Sequence, residues 1–265
     1  MKKFLLLCLC TYLNAFEILP QNDETYKLGF GEWNIAIDGE AVLMKEFIKP
    51  NQTVFDIGAN CGEWTQFAIN TQPSIKVYAF EPVPPVYERL KQTLGKYKNV
   101  QLFNHAISDK IGLAQFHYYP EADGLSGFFY REVLRGDHPD PLILEVPEKT
   151  LDAFCLENGI NSIDFIKIDT EGAEWKVLTG ARELIQNHRI KAIQFEYGGC
   201  YIDAKTTLKS VMTYLSQNNY VIFRIMPKGL VHISKWEARL ENYHLSNYFA
   251  IRQEDMPNYG LVKFN

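Results

Sequence analysis

Five short stretches of this chain hold residue types that can do chemistry together. Asp56-Ile-Gly58-Ala-Asn60-Cys-Gly62 places a carboxylate before two glycines that bracket a tight turn, and Glu81 follows nineteen residues after Gly62. Asn104-His105-Ala106, Asp169-Thr170-Glu171-Gly172 and Glu196-Tyr197-Gly198-Gly199 are the other three. Glycine permits positive φ and a close approach of a ligand to the backbone. A carboxylate about 20 residues beyond such a turn can accept hydrogen bonds from both ribose hydroxyls. The pair favours an adenosine-type ligand over an idle turn.

The spacing narrows the ligand further. A dinucleotide site wants GxGxxG with a helix N-terminus aimed at a pyrophosphate. Here the spacing is GxxxG, and Glu63 directly follows the second glycine, where a carboxylate repels a pyrophosphate. No GK[ST] follows, so a P-loop is absent. S-adenosylmethionine carries no phosphate, and its sulfonium and amino groups are both positive. The carboxylates Asp56, Glu81, Asp169 and Glu171 suit it. A NAD- or nucleotide-sugar-dependent oxidoreductase on a related fold and a non-catalytic binding protein are the alternatives.

The elements that position these residues alternate. Short β-branched and aromatic runs at 53–57, 76–80, 100–103, 165–168, 191–195, 221–225 and 248–251 read as strands. Helices are expected over 39–48, 63–71, 85–95, 174–187 and 204–217. This alternation predicts an α/β, Rossmann-like doubly wound fold: a mostly parallel seven-stranded sheet with helices on both faces. Ligands bind such sheets at the carboxyl ends of the strands, and all five stretches above follow a strand. Residues 112–150 form an insertion, with a hairpin arm from Leu113 to Tyr119 and then a Gly-, Pro- and Asp-rich loop from Glu121 to Pro141. A loop that long inside a domain is more often functional than idle. The organisation expected is a signal-like segment 1–15, an N-terminal cap 16–50 and a catalytic domain 51–255.

Val54-Phe-Asp-Ile-Gly-Ala-Asn-Cys-Gly62, Phe80-Glu-Pro82, Asn104-His-Ala-Ile-Ser-Asp109 and Ile166-Lys-Ile-Asp-Thr-Glu-Gly-Ala-Glu174 together resemble the FkbM-type methyltransferases, which are class I S-adenosylmethionine-dependent enzymes. The resemblance runs from about residue 50 to 225. It implies that Asp56, Gly58, Asn60 and Gly62 line the methionine and ribose side of S-adenosylmethionine and that Glu81 holds the ribose hydroxyls. It further implies that the Ala106 backbone meets the adenine edge and that Asp169 lies beside the methionine end. The implied activity is methyl transfer to a hydroxyl of a sugar or secondary metabolite, so the partner is a small-molecule or glycan acceptor.

A hydroxyl acceptor must lose a proton, and Asp169 and Glu171 are the candidate catalytic groups. Glu171 and Glu174 can instead simply favour the N-terminus of the following helix. No metal is expected, a set built from Asp169, Glu171 and Glu196 being the alternative. His105, His117 and His138 are not at ligand spacing, and Cys8, Cys10, Cys61, Cys155 and Cys200 form neither a CxxC nor a zinc cluster. Trp64 and Trp175 are expected to pack helices onto the sheet. Tyr118, Tyr119, Phe128, Phe129 and Tyr130 either pack the arm or stack on a sugar ring.

The 265 residues carry 27 basic and 32 acidic side chains, a net charge of −5, which argues against nucleic acid as the main partner. Lys2 and Lys3 precede an apolar run from Phe4 to Tyr12, signal-like but too short for an ordinary membrane-spanning helix. The run suggests export. The cytosolic synthesis of S-adenosylmethionine suggests the cytoplasm.

Overall fold

The computed structural model describes residues 17–19, 34–132, 135–136 and 138–259. The signal-like segment 1–15 and the parts of the cap at 16 and 20–33 lie outside them. The strands are β1 (Glu17–Leu19), β2 (Thr53–Ile57), β3 (Lys76–Phe80), β4 (Val100–Phe103), β5 (Ala106–Ile107), β6 (Gly112–Tyr118), β7 (Leu142–Lys149), β8 (Ile163–Ile168), β9 (Ile190–Tyr197), β10 (Tyr220–Met226), β11 (Gly229–His232) and β12 (Ser246–Arg252). The α-helices are α1 (Glu40–Phe47), α2 (Glu63–Thr71), α3 (Pro84–Leu94), α4 (Leu151–Glu157), α5 (Glu174–Gly180), α6 (Arg182–Gln186), α7 (Cys200–Asp203) and α8 (Leu208–Gln217).

Nine strands form the main sheet in the order β1-β11-β10-β12-β9-β8-β2-β3-β4. The run β9-β8-β2-β3-β4 is parallel, while β12 pairs antiparallel with both β9 and β10. The seven expected strands are all present. The two additional ones lie at one edge, where β11 folds back on β10 through Pro227-Lys228 and then pairs with β1. Neither has the long apolar run by which a buried parallel strand is recognised.

Alternation along each strand sends neighbouring side chains to opposite faces. Phe55 and Ile57 of β2 join Ile166 and Ile168 of β8 and pack against α4, α5, α6 and α8 through Phe154, Val177, Leu178, Ile185 and Leu215. Val54, Val77, Phe165 and Phe249 face the other way, against Leu43 and Phe47 of α1, Trp64 and Ala68 of α2 and Leu90 of α3.

Two expected helices differ from their predicted spans. The one predicted over 174–187 divides at Ala181, just after Gly180, where a side chain would meet the Ser108 backbone oxygen at 1.9 Å, so the helix end lies tight against that loop. The one predicted over 204–217 starts late, as α8 at Leu208: Lys205 at φ 53° interrupts the chain after α7, and Thr207 caps α8 with its hydroxyl accepting from the Ser210 N–H at 3.1 Å.

The insertion is a small sheet of its own in the order β5-β7-β6, with the expected arm completed by residues 142–149. Phe116, Tyr118 and Val146 turn its inner face toward Val83 and Val86 at the start of α3. The chain order of the main sheet reverses between β2 and β8, so the crevice belongs above Gly58 and Asp169.

Candidate active site

A cavity of about 650 Å³ opens at that reversal point. The glycine turn forms one wall. Gly58 sits at φ 83°, and a Cβ there would lie 1.8 Å from the Asp169 backbone oxygen, so only glycine lets β2 and β8 close together at this level. The Gly58 and Ala59 N–H groups donate to the Phe80 oxygen at 3.0 and 2.9 Å. The Asn60 N–H donates to Glu81 Oε2 at 3.1 Å, and the Val83 N–H donates to Glu81 Oε1 at 2.9 Å. Each carboxylate oxygen keeps a further lone pair. Burial pushes the Glu81 carboxyl up to about 7 against those two N–H groups.

Gly58, Asn60, Glu81, Ala106, Asp169 and Glu171 all line this cavity. Asp56 and Gly62 do not. The Asp56 carboxylate is fully buried beneath the turn, where Oδ2 accepts from Thr65 Oγ1 at 2.6 Å, because β2 directs that side chain toward α2. Gly62 starts α2 at φ 91°, and a side chain there would strike Leu90 and Leu94 of α3. The acidic wall expected from four carboxylates therefore retains Glu81, Asp169 and Glu171.

Asp169 and Glu171 are both held by cations. Asp169 Oδ2 accepts from Lys167 Nζ at 2.8 Å. Burial alone would push the Lys167 ammonium down, but Asp169, Asp56 and Glu40 around it outweigh burial and hold it above the ordinary lysine range. Glu171, at φ 53°, leaves the strand face and pairs with Arg131 of the insertion. Burial raises its carboxyl to about 7 despite the guanidinium. Arg131 Nε also faces Asp203 Oδ2 at 3.3 Å, so one guanidinium ties the insertion to both the β8 turn and α7. Glu174 is outside the cavity wall. Its Oε1 accepts from the Thr170 N–H at 2.8 Å and the Thr170 hydroxyl at 3.0 Å, so it closes the turn ahead of α5. Burial lifts its carboxyl to about 8.

Other residues complete the cavity wall. Glu40 of α1 is 6% exposed and accepts from Gln194 Nε2 at 2.6 Å and Asn247 Nδ2 at 3.1 Å. It is an acidic residue on an apolar helix face, which is the only mark that could have found it. Asp123 of the insertion faces Asn60 Nδ2 at 3.4 Å and pairs with Arg89. Glu196 at the end of β9 also lines the cavity, and its carboxylate, that of Glu171 and Cys200 Sγ bring their donor atoms within 4.8 Å of one another. Trp64 stacks on Phe165 as expected of a packing residue, yet it also reaches the cavity, with Nε1 buried and unbonded. Trp175 packs on Tyr214. Among the five insertion aromatics, Phe128 lines the cavity, while Tyr119 Oη accepts from the Arg131 N–H at 3.0 Å. No helix of the described residues is long and apolar enough to cross a membrane.

Comparison with known proteins gives a match of residues 56–222 to the family described as the methyltransferase FkbM domain. The chain is 28% identical over 196 residues to the 2-O-methyltransferase NoeI of Sinorhizobium fredii, covering 69% of this chain and 77% of that one. It is 29% identical over 160 residues to the 31-O-demethyl-FK506 methyltransferase FkbM of Streptomyces tacrolimicus, covering 51% of this chain and 62% of that one. Among solved structures, a SAM-dependent methyltransferase from Aquifex aeolicus superimposes with a TM-score of 0.45 at 15% identity, over 86% of this chain and 96% of that one.

Proposed function

The chain belongs to the methyltransferase FkbM family and uses S-adenosylmethionine, and from that premise we propose that it methylates a hydroxyl group of a sugar or secondary metabolite. The observation that carries this reading is the cavity itself. A glycine turn without a phosphate cradle, a buried carboxylate bonded to that turn and further carboxylates beyond it share one space. The names of the two relatives, both O-methyltransferases by their wording, support the hydroxyl acceptor.

S-adenosylmethionine, when bound, supplies a methyl group on a positively charged sulfur that leaves readily. The protein's share of the work is alignment, which can account for a large part of the acceleration in such an in-line displacement. Glu81 takes the ribose hydroxyls on the lone pairs that Asn60 and Val83 leave free. The backbone at Gly58 and Asn60 would take the methionine and ribose side of the ligand, and that of Ala106 would meet the adenine edge, since all three line the cavity. Asp169, fixed by Lys167, offers negative charge to the cationic methionine end. Glu171 and Arg131 hold the insertion over the acceptor side, where Phe128 offers an aromatic face.

The cytosolic synthesis of the donor favours a cytoplasmic site of action over the export suggested by residues 1–15. Mass spectrometry of the native protein decides this, because a chain starting at Phe16 would establish cleavage. The acceptor is found by incubating the protein with methyl-labelled cofactor and panels of glycans and small hydroxyl compounds. Label appearing only on amines or thiols would overturn the hydroxyl reading.

A further inference from the structure

Four carboxylates stand at the carboxyl ends of β8 and β9 or in the turn beyond, and three are already engaged. Asp169 is bonded to Lys167, Glu171 to Arg131, and Glu174 to the N–H groups of its own turn. The fourth, Glu196, receives no hydrogen bond and no ion pair at its carboxylate from any described residue, although it lines the cavity.

Its place in the sheet is defined by register. Ile168 of β8 pairs with Phe195 of β9, so Asp169 and Glu196 are the next residues on two adjacent parallel strands. Neighbouring strands lie about 4.8 Å apart. An acceptor beside Glu196 is therefore one strand away from the place proposed for the methionine end. There is room for it, since a Cβ built on Gly199 would meet nothing within 4 Å.

Resting on the hydroxyl-methylation reading above, we propose that Glu196 is the general base that takes the acceptor's proton. The hydroxyl O–H bond breaks toward the Glu196 carboxylate while the oxygen bonds to the methyl carbon. The carbon–sulfur bond breaks with its electron pair returning to sulfur, and the proton passes from Glu196 to solvent after turnover. Burial, together with Asp169, Glu171 and Glu174, holds the Glu196 carboxyl well above the ordinary glutamate range, against a smaller pull from Lys167. Cys200 Sγ lies beside Glu196 and Glu171, Arg131 pairs with Glu171, and the Tyr201 hydroxyl donates to the Glu196 backbone oxygen at 3.0 Å. A cationic donor entering this acidic space favours the ionised form. Arrival of the methyl donor therefore shifts the Glu196 carboxyl toward the form that can accept a proton.

The test compares wild type, Glu196→Gln and Glu196→Asp with an acceptor found in the labelled-methyl assay. Glu196→Gln should lower kcat on the order of 10²–10⁴-fold, with cofactor affinity within about threefold and the acid limb of the pH–rate profile gone. Glu196→Asp should recover part of the rate. Calorimetry in two buffers of different ionisation heat adds a readout that needs no acceptor. Wild type should release more protons on binding S-adenosylmethionine than S-adenosylhomocysteine, and Glu196→Gln should lose that difference. A Glu196→Gln protein with near-normal kcat, an unchanged pH profile or unchanged proton release overturns the assignment. So does activity that a chelator abolishes and a divalent ion restores in wild type, with ion binding lost in Glu196→Gln. Wild-type transfer to no hydroxyl at all overturns the reading beneath it instead.

Discussion

The backbone N–H of Asn60 donates to Glu81 Oε2 over 3.1 Å, which makes the glycine turn and the carboxylate at the end of β3 one hydrogen-bonded unit. Glu81 therefore shapes the turn, and the proposed hold on the ligand would be a second duty.

Replacing Glu81 by Ala should weaken S-adenosylmethionine binding by roughly 1.5–3 kcal/mol, the scale of hydrogen bonds to a charged group. It should also lower Tm, because Asn60 and Val83 lose their acceptors. Calorimetry on the folded variant checks the first effect, and unchanged affinity would remove the ribose from Glu81.

Gly58→Val forces a side chain into the Asp169 carbonyl at positive φ. Backbone strain of this kind costs about 1–3 kcal/mol by itself, and the clash adds to it. The variant should melt lower than wild type and lose cofactor binding. Normal binding would refute the close approach of β2 and β8.

Arg131→Ala leaves the Glu171 and Asp203 carboxylates without their shared cation. Breaking a buried pair from one side costs about 3 kcal/mol or more. Denaturant unfolding should show that loss, and limited proteolysis should cut more readily within 121–141. Unaltered proteolysis would mean the insertion is held by its own packing alone.

Stability should fall as pH rises. The Glu81 carboxyl is raised to about 7 and that of Glu174 to about 8, both mainly by burial. A carboxyl whose folded pKa exceeds its unfolded value binds more protons in the native state, so its contribution is complete below about 4.5 and disappears as pH passes the folded value. Tm should therefore decline between pH 5 and pH 8.5, and Glu174→Gln should flatten the curve. A Tm that rises over this window would contradict the assignment.

Asp169→Asn separates charge from shape. With Asp169 on the cofactor side, S-adenosylmethionine affinity should drop while turnover at saturation survives better. The opposite pattern, a large loss of kcat with affinity intact, would make Asp169 the base and displace Glu196.

The parallel half of the sheet was legible because a strand buried on both faces must read as an apolar run, and 53–57, 76–80 and 165–168 do. The place of the cavity followed from the same runs, since it opens where they stop. Asp56 misled because a carboxylate next to a glycine turn has the same letters whether it faces the ligand or, as here, Thr65 beneath it. Strand alternation from Ile57 would have placed it. Glu40, Asp123 and Arg131 were not legible, because each reaches the site from an element whose position depends on tertiary packing rather than on local pattern. Glu196 was visible as one of several polar strand ends. Only the engagement of its three neighbours singles it out.

β12 fills the gap between β9 and β10, and its residue Asn247 completes the hydrogen bonding of Glu40, 207 positions earlier. During synthesis the middle of the sheet therefore stays open until residue 252 has left the ribosome. Until then β9 and β10 present unpaired edges that invite intermolecular pairing. The nascent chain should engage chaperones late, and ribosome-bound chains halted before Ser246 should be caught by them while chains halted well past Arg252 are released.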